Sequence, residues 1–118
     1  MKNIEILESK KIIDYKFAIN YMEEKLLEVK NNTAKELIWF LEHPSIYTSG
    51  RGNPVNQNYI NKIPIYNSGR GGKITWHGPG QRIIYFIIDL KKRELDIRRF
   101  VSNIEKFIIE SLSELDIK

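Results

Sequence analysis

The run Ile83-Ile84-Tyr85-Phe86-Ile87-Ile88 constrains the fold of this chain more than any other feature. It is far shorter than the ~18 apolar residues that a membrane span requires. It is also too apolar for a strand with one face in water, and it follows the turn signal Gly78-Pro79-Gly80. The run therefore predicts a strand at the centre of a sheet, buried on both faces.

Such a strand needs apolar cover, and two amphipathic segments offer it. Tyr15, Ala18, Ile19, Met22, Leu26 and Val29 recur at steps of three and four, with Asp14 placed as N-cap and Asn31-Asn32 placed to end the helix. Asp96 opens a second stripe of Ile97, Phe100, Val101, Ile104, Phe107, Ile108, Ser111 and Leu115, which runs to Asp116-Ile117-Lys118 with no C-cap signal. Between the helices, Leu37 to Leu41 reads as a buried strand stopped by His43-Pro44, and Ile46-Tyr47-Thr48 reads as a second. Ser49 to Lys62 has no periodicity and reads as a loop. Ile63-Pro64-Ile65-Tyr66 resumes a strand that lies at an edge or starts near its proline. Helix, strands, a Gly-rich loop, strands and helix together predict an α+β domain with a mixed sheet.

At 118 residues the chain suffices for one modest core. The absence of cysteine excludes disulfides, thiolate metal sites and a cysteine nucleophile within it. With no membrane-length stretch, a cytoplasmic location is expected. Lys and Arg exceed Asp and Glu by 19 to 15, a net charge of +4 that favours an acidic partner only mildly. The basic residues are scattered apart from Lys91-Lys92-Arg93 and Arg98-Arg99, so neither nucleic acid nor membrane is expected as a partner. His43 and His77 are the only histidines and lack metal-ligand spacing. No metal is expected, and His43 before Pro44 reads as structural.

The densest chemistry lies in RGGKITWHGPGQ, Arg70 to Gln81. Gly71 and Gly72 permit a backbone that approaches a ligand closely, and Gly78-Pro79-Gly80 makes a tight turn. Neither GxxxxGK[ST] nor GxGxxG is present, so the glycines do not indicate a nucleotide.

This segment resembles the signature of the lipoate-pathway octanoyltransferases, R-G-G-x-x-T-aromatic-H-G-P-G-Q, at every fixed position. The flanks Leu41-Glu42-His43-Pro44, Tyr47-Thr48, Tyr85, Asp89-Leu90 and Arg93 resemble the family as well. The resemblance implies an α+β fold with a mixed sheet flanked by helices, similar to the catalytic domains of biotin and lipoate protein ligases. Residues 1–118 would form the amino-terminal part of one such domain, cut short at its carboxy terminus. The activity implied is transfer of an octanoyl group from octanoyl-acyl carrier protein to a lysine of lipoyl domains, those of 2-oxoacid dehydrogenases and the glycine cleavage H protein, with no cofactor. Carried over position by position, the substrate-binding wall is Arg70, Gly71, Gly72, Lys73, Ile74, Thr75, Trp76 and His77. Which of the alternating residues 73–77 face the acyl group stays open.

In the family the acyl group passes through a thioester on a cysteine tuned by a lysine, and the resemblance places both beyond this chain. The 118 residues are therefore expected to be inactive alone. A lipoate- or biotin-ligase-like enzyme, suggested by Ser49-Gly50-Arg51-Gly52, is one alternative. A non-catalytic acyl-binding remnant is the other.

Overall fold

The computed structural model describes residues 4–50, 58–68 and 73–117. The chain divides into two compact units, Met1–Ile87 and Ile88–Lys118. Together their elements are α+β, with helices and sheets of mixed strand direction.

In the first unit, β1 (Ile4–Glu8) leads to α1 (Tyr15–Lys30) and β2 (Glu36–Leu41). Asp14 begins the helix as expected, its carboxylate accepting the Phe17 N–H at 3.1 Å. Asn31-Asn32 ends it for a reason visible in the backbone. Asn32 adopts φ 60°, which lets its N–H donate to Val29 O and the Thr33 N–H donate to Glu28 O, closing the last turn on itself. β1 pairs parallel with β2, so α1 is the crossover between them.

On β2 every second residue is hidden. Leu37, Trp39 and Leu41 join Ala18 of α1 in the core, and Leu7, Ile13, Tyr21 and Met22 pack around them. Each such aliphatic side chain contributes about 1.5–3 kcal/mol on burial. The indole N–H of Trp39 is not orphaned, since it donates to Ser9 Oγ at 2.9 Å.

β7 (Ile83–Ile87) pairs antiparallel with β2 and completes a three-stranded sheet in the order β1-β2-β7. The expectation of a central strand is thus corrected: among the described residues β7 is an outer strand, and β2 holds the centre. Ile83, Tyr85 and Ile87 pack against the core, whereas Ile84 on the other face is 39% exposed. An unbroken apolar run records that a strand is largely covered but not how many neighbours it has.

The second sheet runs β4-β5-β3-β6, from β3 (Ile46–Ser49), β4 (Tyr59–Ile60), β5 (Ile63–Asn67) and β6 (Thr75–His77). β4 lies inside the stretch expected to be loop. Asn61 and Lys62, with φ 49° and 68°, form the two-residue link to β5 that a right-twisted hairpin requires. β5 is not an edge strand, yet it tolerates Pro64 because that residue stands at its start. The Ile65 N–H donates to Asn58 O at 2.9 Å, so the neighbouring Tyr59–Pro64 pair falls between hydrogen-bonded positions. Pairing with β3 begins only at Ile65.

In the second unit, Asp96 caps α2 (Ile97–Glu114), accepting the Arg99 N–H at 2.7 Å. The helix does possess a C-cap, contrary to the expectation from sequence. Asp116 takes φ 58°, its N–H donates to Ser113 O, and the Ile117 N–H donates to Leu112 O at 2.9 Å. Among the described residues no helix is long and apolar enough to cross a membrane.

Candidate functional site

Arg70, Gly71 and Gly72 lie outside the described residues, and the remaining candidates are placed by β6. This strand pairs antiparallel with β3, setting Ile46 opposite His77, Tyr47 opposite Trp76, and Thr48 opposite Thr75. On the other side of β3, Thr48 stands beside Tyr66 of β5. Because side chains alternate along a strand, Thr75 and His77 share one face with Ile46, Thr48 and Tyr66. Trp76 shares the opposite face with Tyr47 and Ile65. The register thus fixes which of Thr75, Trp76 and His77 share a face. Lys73 and Ile74 precede the strand, the lysine exposed and the isoleucine half-buried.

On the face bearing Thr75 and His77, the first residue of α1 packs beside His77 and leaves Thr75 exposed. The Tyr15 ring is 4.9 Å from that of Tyr66, 5.0 Å from His43 and 6.0 Å from His77, centroid to centroid. Thr48 and Thr75 join through their hydroxyls at 2.9 Å. The motif's donors thus sit in an aromatic setting built by residues far away in sequence.

His43 anchors this cluster from below. Its Nδ1 lies 2.7 Å from the carbonyl of Ile13 and its Nε2 lies 2.7 Å from the hydroxyl of Tyr85. A carbonyl only accepts, so Nδ1 carries the proton. Burial pushes the imidazole below its ordinary pKa, and the Ile13 hydrogen bond and the Asp14 charge offset this only in part. The ring is neutral near pH 7, and Nε2 accepts from Tyr85. With no exposed surface and both nitrogens engaged, His43 is a structural bridge. It ties the entry to α1 to the β2–β3 connection and to β7.

The turn after β6 has its own logic. The Gln81 N–H donates to Gly78 O at 3.1 Å, Pro79 occupies the second position and Gly80 the third with φ 89°, which is a type II turn. Only glycine adopts that φ without strain. The Gly80 N–H donates to a carboxylate oxygen of Glu42 at 2.6 Å, fastening the turn to the exit of β2. Gly78 is required for a different reason: the Trp76 ring lies against it, and a Cβ there would stand 2.1 Å from Cζ2 of the indole.

Where β3 and β5 end, Ser68 donates through both its N–H and its hydroxyl to Ser49 O, at 2.9 and 3.0 Å, and the Ser49 hydroxyl donates to Asn67. These bonds fix the strand end from which the chain continues toward Arg70. Tyr15 and Tyr66 were not singled out from the sequence as site residues, and Thr48 only as part of the Tyr47-Thr48 flank. The signal that could have found them together was a place on the strand face or helix stripe that register brings to Thr75 and His77.

Residues 14–118 match the family model described as the lipoyl protein ligase A/B catalytic domain. An octanoyltransferase of Wolbachia pipientis wMel is 46% identical over 114 residues, covering 96% of this chain and 56% of the relative. An octanoyltransferase of Brucella melitensis biotype 1 is 41% identical over 98% of this chain and 44% of its own length. One of Zymomonas mobilis subsp. mobilis is 42% identical over 99% and 55%. The chain spans about half the length of the curated relatives it matches.

Proposed function

Because this chain belongs to the lipoyl protein ligase A/B catalytic domain family, we propose that it supplies the acyl-binding wall of an octanoyltransferase. The whole enzyme moves an octanoyl group from octanoyl-acyl carrier protein to a lysine of a lipoyl domain, as in protein lipoylation. The wall consists of Arg70, Gly71, Gly72, Lys73, Ile74, Thr75, Trp76 and His77. The observation that carries the reading is the complete twelve-residue motif in the sequence, three of whose residues, Thr75–His77, form β6 at the outer edge of its sheet among the described residues. An open edge presents backbone amides together with side chains of both faces. Thr75 and His77 offer hydrogen bonds to the polar end of a thioester, and Trp76 offers apolar surface to its tail.

The sequence contains no cysteine. A thioester route therefore draws its thiolate from outside these 118 residues.

The test is a chimaera in which this chain replaces the matching portion of the Wolbachia octanoyltransferase. Mass spectrometry would follow octanoylation of an apo lipoyl domain. Transfer from octanoyl-acyl carrier protein without ATP is expected, and the 118-residue chain alone should give none. A chimaera that works only with free octanoate and ATP would establish the ligase reading instead. A folded chimaera inactive with either donor would leave an acyl-binding remnant.

A further inference from the structure

We propose that Thr48 is a positioning residue that turns the hydroxyl of Thr75 outward as a hydrogen-bond donor for the acyl carbonyl. This rests on the acyl-binding reading and adds to it a residue outside the Arg70–Gln81 motif.

The two hydroxyls lie 2.9 Å apart, and distance alone does not say which donates. Burial decides it. Thr48 is 5% exposed, and Thr75 is its one hydrogen-bonding partner among the described residues. If Thr75 donated to Thr48, the Thr48 proton would be left buried without an acceptor among the described residues, at a cost of about 1–3 kcal/mol. If Thr48 donates to Thr75, no proton is stranded, because Thr75 is exposed and its own O–H points to solvent or ligand. The second arrangement wins by that margin.

The pair sits on the face that also carries His77 and Tyr66, whose rings the Tyr15 ring packs against. Its register is fixed on both sides of β3, by Thr75 of β6 and Tyr66 of β5. A hydroxyl on a free side chain samples three staggered positions. Holding one of them is worth about a factor of three in binding, and the complete hydrogen bond to a carbonyl about 3- to 10-fold.

The chemistry recognised is the thioester carbonyl and not the alkyl tail, and this sets the experiment. The 118-residue chain is titrated with octanoyl-pantetheine and with S-octyl-pantetheine, which has a methylene in place of the carbonyl. The wild-type chain should prefer the thioester by about 3- to 10-fold. Thr75→Val should abolish the preference, Thr48→Val should reduce it about threefold, and Thr48→Ser should restore it. Affinity for the thioether should stay constant throughout. A purely structural role for Thr48 would lower both affinities together and overturn the inference, as would an undiminished preference in Thr75→Val, an exposed position whose substitution leaves the core intact. Failure of the wild-type chain to bind either compound would refute the acyl-binding reading itself, and the inference with it.

Discussion

Replacing Gly78 by alanine isolates the contact between the motif's turn and its tryptophan. The new methyl would lie 2.1 Å from Cζ2 of Trp76, with Cη2 at 2.7 Å and Cε2 at 2.8 Å, so the ring must move. Trp76 is already 41% exposed. Swinging it fully into water uncovers on the order of 100 Å² and forfeits about 2–3 kcal/mol at about 25 cal/mol per Å². Sliding it within its contacts costs about 1–3 kcal/mol, as overpacking usually does. Gly78 has no positive φ, so alanine brings no backbone strain and by itself stabilises by about 0.4–1 kcal/mol through the unfolded chain. The expected net loss for Gly78→Ala is about 1–2 kcal/mol. In a Trp76→Ala background the same change should be neutral or stabilising, giving a coupling of at least about 1 kcal/mol. Urea unfolding can follow all four proteins through the fluorescence of Trp39, which is buried in the core and remains in each. An equal cost with and without the indole would refute the argument.

Asp14→Ala removes the carboxylate that accepts the Phe17 N–H and should cost about 1 kcal/mol by urea unfolding, with Asp14→Asn losing less. The pH dependence follows from His43, whose folded pKa lies below the unfolded value near 6.5. Between those two values the unfolded chain holds the extra proton, so stability is complete above the unfolded value and falls as pH drops below it. Relative to His43→Asn, the wild-type chain should lose stability on acidification from pH 7.5 to 5.5, with a slope of up to about 1.4 kcal/mol per pH unit. Parallel curves for the two proteins would show that the imidazole is not held neutral.

Local chemistry was legible in the sequence and spatial order was not. Asp14, Asn31-Asn32 and Asp96 could be placed because a cap is satisfied within a few residues. The end of α2 was not seen because Asp116 takes the left-handed role that glycine usually fills. β1 and β4 passed unnoticed: Ile4–Glu8 buries no residue fully, and Tyr59–Ile60 is two residues long. Ile83–Ile87 was identified as a strand and misplaced in its sheet, since neighbour order depends on segments remote in the chain. The candidate site follows the same division. Its motif stood out as a string, whereas Tyr15, Thr48 and Tyr66 came to it through register and helix placement.

The parallel pairing of β1 with β2 affects how the polypeptide is made. During synthesis Ile4–Glu8 emerges first and has no partner until Glu36–Leu41 has followed it. Meanwhile the only structure the nascent chain can complete from local contacts is α1. The exposed strand must therefore wait beside a growing helix, where its unpaired amides and its leucine and isoleucines are open to wrong association. A nascent α1 that starts promptly at its cap leaves less to be done once β2 has been made, because the crossover that sets β2 alongside β1 is already in place. Asp14 thus bears on the yield of correctly folded chains as well as on their final stability.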